Sequence, residues 1–176
     1  MNATLIVIGG FAGAGKSTLA RSLGKKLSIP VFEKDQIAKN LDNLEDFQKT
    51  GLKAFGVAFD FFFAFAEAHL RNGGSLIFDQ NMGRERTWKG LEKLKSKLPA
   101  HIEIKIFILE CPWELCLARF AARTEHPNLD ELTLADLEDH KFKWEYLNNN
   151  ELPQAIRIDG SQTSDKVLND VMAYFS

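Results

Sequence analysis

The run Gly9 to Thr18, GGFAGAGKST, constrains this chain more than any other stretch. Within it Gly10 to Ser17 satisfy the spacing GxxxxGK[ST], directly behind the apolar residues Leu5 to Ile8. Given average residue usage, a chance match in a chain of 176 residues is roughly a one-in-two-hundred event. Glycines at positions 10, 13 and 15 let successive backbone N–H groups turn inward and wrap an anion. Gly10, Ala12, Gly13, Ala14, Gly15, Lys16, Ser17 and Thr18 are therefore the expected contacts to the phosphates of a nucleotide. Lys16 would reach the terminal phosphates as a mobile point charge, and Ser17 would place its hydroxyl on Mg²⁺. A plain glycine-rich turn accounts for the glycines but leaves the Lys16–Ser17 pair without a reason.

A length of 176 residues suits one domain, read here as residues 1–176. Hydrophobic residues at 45% and charged ones at 26% argue against disorder and fibrous folds. With 22 basic against 24 acidic residues, and no basic run interleaved with aromatics, a long nucleic-acid footprint is disfavoured without being excluded. Cys111 and Cys116 lack a neighbouring metal-type cluster and read as free, buried thiols. The amino terminus has no basic start of a secretory signal. The longest apolar region, Ala54 to Ala68, is broken by Asp60 and Glu67 and too short to span a bilayer. The expectation is a cytoplasmic enzyme without a membrane partner; monomer and homodimer both stay open.

After Leu5 to Ile8, four more apolar runs read as strands: Val31 and Phe32, Leu76 to Phe78, Ile104 to Leu109 and Ala155 to Ile158. Helical patterns fill the gaps at Gln36 to Leu41, Phe47 to Leu70, Arg84 to Leu98, Trp113 to Arg123, Leu132 to Leu147 and Ser164 to Tyr174, with Thr18 to Leu27 following the glycine-rich loop. Strands apolar on both faces alternating with helices predict an α/β fold, a parallel sheet covered on both sides. Gly73 and Gly74 should end the long helix, Pro112 should open another, and Ser164 should cap the last. Most of Phe55, Phe59, Phe61, Phe62, Phe63 and Phe65 are expected in the core, with the remainder free to wall a pocket.

Ligands in such sheets bind beyond the carboxyl ends of the strands, so the residues there form the functional shortlist. Asp35, after the second strand, is the candidate base that accepts a proton from an attacking hydroxyl, with the N-cap of the next helix as its alternative. Asp79 closes the third strand and reads as a carboxylate for the Mg²⁺ shell or the substrate; Asp35 and Asp79 remain rivals for the role of base. The next residue is Gln80 and not an acid, which favours transfer over hydrolysis. Arg119 and Arg123 lie one helical turn apart before the irregular stretch 124–131, which reads as a lid whose arginines close over the nucleotide. A solvated helix face is the alternative for that pair. Arg84 and Arg86 read as surface residues able to meet an anionic group, His126 as a loop residue, and Gly160 as part of a turn beside the expected base of the nucleotide.

These residues together resemble the P-loop kinases of the nucleoside monophosphate kinase type, particularly the branch holding chloramphenicol phosphotransferase, zeta toxins and polynucleotide 5′-kinase domains. The likeness covers most of the chain and rests on GGFAGAGKST, on Asp35, on Asp79 with Asn81, and on the spaced Arg119 and Arg123. It implies a three-layer P-loop NTPase fold with five parallel strands in the order 2-3-1-4-5 and a small lid. It further implies ATP with Mg²⁺, and transfer of the γ-phosphate to an acceptor. Residue by residue it implies Lys16 and Ser17 on phosphate and metal, Asp35 as base and Arg123 as lid arginine. No DG[FY]PR stretch follows the third strand, and Ala38 and Lys39 stand where the branch often has an arginine. The expected acceptor is accordingly a hydroxyl on a nucleoside, sugar, antibiotic or similar small molecule. A kinase of polynucleotide ends or of a nucleotide sugar is the alternative. A nucleotide-dependent switch fits less well, since the chain holds neither NKxD nor DxxG.

Overall fold

A computed structural model describes residues 3–83, 85–122, 137 and 155–175. Five strands, β1 (Thr4–Gly10), β2 (Val31–Glu33), β3 (Leu76–Asp79), β4 (Glu103–Glu110) and β5 (Ile156–Asp159), form one sheet in the order β2-β3-β1-β4-β5. Every pairing is parallel, with Ile8 opposite Asp79, Gly10 opposite Leu109 and Glu33 opposite Asp79. The central strand β1 is buried on both faces, as a continuous apolar run requires.

Among the described residues the helices are α1 (Lys16–Leu27), α2 (Lys34–Asp42), α3 (Glu45–Gln48), α4 (Ala54–Arg71), α5 (Glu85–Lys97), α6 (Trp113–Ala121) and α7 (Ser164–Met172). One apolar layer joins α1, α6 and α7 to the sheet through Leu23, Phe120 and Val171; the opposite layer joins α4 and α5 through Phe62, Leu70 and Leu91. Phe62 lies flat on Phe78 of β3, its ring centroid 3.5 Å away, and burying a side chain of this size contributes about 1.5–3 kcal/mol.

The expected helix Phe47 to Leu70 is two helices, because Gly51 takes a φ of 68° and the stretch 49–53 turns the chain between α3 and α4. Of the six phenylalanines in α4 only Phe59 and Phe62 are buried, while Phe61 and Phe65 are exposed and stack on each other. Six phenylalanines within eleven residues of one helix cannot share a single face, so some of them must point outward. The cap of α7 is Thr163, whose hydroxyl accepts from the Lys166 amide, and not Ser164. The helix expected at Leu132 to Leu147 lies outside the described residues save Leu137, which is helical and buried. No described helix is long and apolar enough to cross a membrane.

α2 approaches α4 through three buried alanines, Ala38, Ala54 and Ala58. Their small side chains fix the start of α2 at the carboxyl edge of the sheet, beside the end of β3. That edge collects the chemistry.

Candidate functional site

The loop between β1 and α1 has the backbone that its composition foretold. Gly13 sits at φ 87° and Gly15 at φ 97°, a region that side-chain-bearing residues avoid. Gly13 has a second constraint, since a Cβ there would lie 2.1 Å from the carbonyl oxygen of Cys116 in α6. Gly13→Ala therefore combines a left-handed φ costing about 1–3 kcal/mol with a backbone collision. We expect a thermal midpoint roughly 5 °C or more below wild type and loss of nucleotide binding, read by differential scanning fluorimetry with and without ATP.

Lys16 is the first residue of α1, and its Nζ donates to the Phe11 carbonyl at 2.9 Å, so the ammonium is held over the loop. The Ser17 hydroxyl hydrogen-bonds to the Asp79 carboxylate. Asp79 keeps a narrow opening to solvent, yet its carboxyl is pushed above the usual range. Desolvation is the main cause and the charges of Asp35 and Glu33 add to it; Lys16 and the Ser17 hydrogen bond act the other way. Arg21 grips the neighbouring Glu33 with Nε at 3.0 Å and Nη2 at 2.5 Å.

A desolvated carboxylate bonded to a hydroxyl at the mouth of a phosphate cradle is a donor set suited to a hard divalent cation. No group of three or more His, Cys, Asp or Glu side chains among the described residues forms a ready cage. Mg²⁺ needs none, since it keeps waters and takes one or two protein ligands beside phosphate oxygens.

The raised Asp79 value has a consequence for stability. Folding favours the neutral carboxyl, so this group's stabilising share is complete below the unfolded carboxylate value and is lost as pH rises through the higher folded value. As pH climbs past that folded value, the charged Asp79 thus weakens the ligand-free fold. Asp79→Asn should raise the midpoint of the ligand-free protein by a few degrees while removing most of the extra stabilisation that ATP with Mg²⁺ gives wild type. Thermal melts at pH 7 with and without ATP–Mg²⁺ check both halves.

Asp35 lies in the first turn of α2, which begins at Lys34 with Glu33 as its cap residue; the alternative of Asp35 as N-cap is thereby removed. The Lys34 Nζ stands 3.0 Å from Asp35 Oδ1 and 4.9 Å from the Phe55 ring centroid. Lys34 is the partner that the sequence reading missed, although EKDQI placed it next door.

On the far side of the loop, a cavity of about 270 Å³ is lined by Gly13 to Gly15, Thr18, Arg119, Gly160 and Gln162, among others. Arg119 donates to the Gly160 carbonyl at 2.7 Å and to the Ser161 carbonyl at 3.3 Å, tying α6 to the turn after β5. Asp159 holds that turn by accepting from the Gln162 side-chain amide and from the Ser161 hydroxyl and backbone amide, which lower its carboxyl to about 2. Gly160 itself donates to the Glu110 carbonyl.

Lys16, Ser17, Asp35 and Asp79 thus meet at one end of the cradle, and Thr18, Arg119 and Gly160 at the other. Gly10 closes β1, Ala14 is buried against the core and Ala12 packs on it. Asn81 shapes the loop after β3 by accepting from the Gly83 amide at 2.9 Å. Arg86 lies over the Phe59 ring and pairs with Asp60. Arg84, Arg123, His126 and the expected lid at 124–131 lie outside the described residues.

A parallel sheet ordered 2-3-1-4-5, with a glycine cradle between its central strand and first helix, defines a P-loop protein with the fold of the small kinases. The chain belongs to the AAA domain family, whose model matches residues 5–147. Among solved structures it is similar to a sugar kinase from Janibacter sp. HTCC2649, at 15% identity and a TM-score of 0.69, covering 98% of this chain and 94% of that one. It is similar to the tunicamycin resistance protein of Deinococcus radiodurans at 18% identity and a TM-score of 0.65, covering 99% and 96%. Shikimate kinase from Aquifex aeolicus follows at 19% identity and a TM-score of 0.62, covering 97% and 95%. A search of curated protein sequences finds no match. At such identities the likeness is one of fold, and it bears out the resemblance drawn from the sequence at that level.

Proposed function

We propose that the protein is an ATP-dependent kinase, a single domain that transfers the γ-phosphate of ATP to a hydroxyl of a small-molecule acceptor. The observation that carries this reading is the convergence of Lys16, the Ser17–Asp79 pair and Asp35 at the terminal-phosphate end of the cradle. Its structural likeness to a sugar kinase and a shikimate kinase supports it.

Backbone amides of residues 10–17 bind the phosphates, and the positive end of α1 adds to their pull. The base of the nucleotide fits the cavity beside Arg119 and Gly160. Lys16 leaves its Phe11 carbonyl for the phosphate oxygens and balances the charge that spreads there as the bond to the leaving group loosens. Ser17 and Asp79 would hold Mg²⁺, which would supply neutralisation of the phosphate oxygens. Lys34 anchors Asp35 through Oδ1, which leaves Oδ2 to take the acceptor's hydroxyl proton. Arg123, carried by the lid, closes over the transferred group and keeps water out.

Gln80 argues against an ATPase. It is buried, and its Nε2 donates to the Thr87 hydroxyl at 3.2 Å, so a neutral, occupied side chain stands where a second carboxylate would activate water. The test is a panel of hydroxyl-bearing metabolites, nucleosides and antibiotics offered with ATP and Mg²⁺, reading ADP release. One compound class should raise release well above the acceptor-free rate. Absence of calorimetric heat with ATP, ADP and GTP in magnesium buffer overturns the reading.

A further inference from the structure

Neither cysteine takes part in the phosphate chemistry, yet both stand behind the wall of the nucleotide cavity. Cys111 directly follows β4, Pro112 caps α6, and Cys116 is the fourth residue of that helix. Side chains at these two positions, just before the cap and four places after it, fold onto each other across a helix start. The contacts agree, with Cys116 Sγ donating to the Cys111 carbonyl at 3.7 Å. Both thiols are free; Cys111 is partly exposed and Cys116 is buried. From the other side Arg119 Nη1 donates to Cys111 Sγ at 3.6 Å while also holding the Gly160 carbonyl. The sulfur of a partly exposed residue therefore lies between a guanidinium and a second thiol.

We propose that Cys111 and Cys116 form a site of reversible oxidation, at which a peroxide converts the two thiols to a disulfide and so loosens the nucleotide cavity. The Cys111 sulfur attacks one oxygen of hydrogen peroxide, the O–O bond breaks, a sulfenic acid forms and the other oxygen leaves as water. The Cys116 sulfur then attacks the Cys111 sulfur, the S–O bond breaks, and the hydroxyl departs as a second water with the Cys116 proton. Two thiols and one hydrogen peroxide give one disulfide and two waters, the sulfurs losing the two electrons that the peroxide gains. Arg119 places positive charge beside the sulfur that carries the negative charge of the attacking form. Burial and the neighbouring Cys111 push the Cys116 thiol up to about 12, so Cys111 and not Cys116 is the sulfur that meets the peroxide first.

The cavity feels the bond because α6 has no slack against the phosphate loop. Gly13 packs so tightly on the Cys116 carbonyl that a single added carbon would lie 2.1 Å from it. Drawing the two sulfurs to the bonding distance of about 2.05 Å shifts the first turn of α6 against Gly13 and withdraws the Cys111 sulfur from Arg119.

The experiment treats the reduced full-length chain with hydrogen peroxide. It reads intact mass, the cysteine peptides, hydrogen exchange of residues 10–17 and binding of a fluorescent ATP analogue. The expected result is a mass lower by two hydrogens, a Cys111–Cys116 linked peptide, faster exchange in the loop, and affinity lowered severalfold and restored by dithiothreitol. Cys116→Ser should stop at a Cys111 sulfenic acid that dimedone traps, and Cys111→Ser should keep its affinity under peroxide. Oxidised protein without the linked peptide overturns the proposal, as does a disulfide that leaves loop exchange unchanged. If the reduced protein fails to bind the analogue, the kinase reading fails, while the peptide map and the exchange rates still decide the disulfide.

Discussion

Lys16→Ala is expected to lower phosphoryl transfer by roughly a hundred- to a thousandfold while leaving the fold in place, the loss usual when one preorganised donor to developing charge is removed. The ammonium is anchored at the first residue of α1 and rests on the Phe11 carbonyl, a contact within its own loop and not one that joins elements of the core. Its removal therefore costs the fold little. It costs the site its mobile cation. Lys16 also draws the Asp79 carboxyl downward, so its loss should leave Asp79 harder to ionise and Mg²⁺–nucleotide binding weaker as well. Steady-state kinetics on the best acceptor from the panel, paired with thermal melts, separate the two effects. A variant that turns over within about tenfold of wild type while melting normally would show that Lys16 does not reach the transferred phosphate.

The phosphate loop was legible because a backbone conformation was at stake. Positive φ at Gly13 and Gly15 admits little but glycine, so the sequence carries the geometry at single-residue resolution. The strands were legible for a comparable reason, since β1 and β3 are buried on both faces and tolerate only apolar runs. The break between α3 and α4 was not, because the turn there relies on a single glycine without a proline. Periodicity also overcounted the core of α4: it marks aromatic residues without saying which face of the helix has a neighbour, and among the described residues the rings of Phe61 and Phe65 meet each other, Phe32 and His69.

The site was legible where one strand end places one residue, as with Asp35 and Asp79. It was illegible where two distant segments meet. Arg119 was read as a lid arginine by its spacing from Arg123, but its described partners are carbonyls of the turn at Gly160 and Ser161, some forty residues on. Nothing local in the helix encodes that contact. The packing of Gly13 on Cys116 is of the same kind, and so is the desolvation that raises the Asp79 carboxyl.

Asp35 and Asp79 compete for the role of base, and Asp35→Asn separates them. The amide keeps the size of the carboxylate but cannot take a proton from a hydroxyl, so turnover should fall by roughly 10²–10⁴-fold if Asp35 is the base. ATP–Mg²⁺ binding should stay near wild type, because the cation and phosphates rest on Ser17, Asp79 and the loop amides. Asp79→Asn predicts the reverse order, with binding lost first. A modest stability cost accompanies Asp35→Asn, since Lys34 has only 15% of its side chain exposed and loses its ion partner, keeping the Phe55 ring as its remaining support. Relief of repulsion on Asp79 offsets part of that cost, so the change in midpoint should be smaller than the ion pair alone would suggest. Calorimetric binding of ATP–Mg²⁺ and single-turnover transfer, measured on both variants, decide the matter. If Asp35→Asn transfers phosphate at near wild-type rates, the proton leaves by another route and Asp79 becomes the next carboxylate to test as its acceptor.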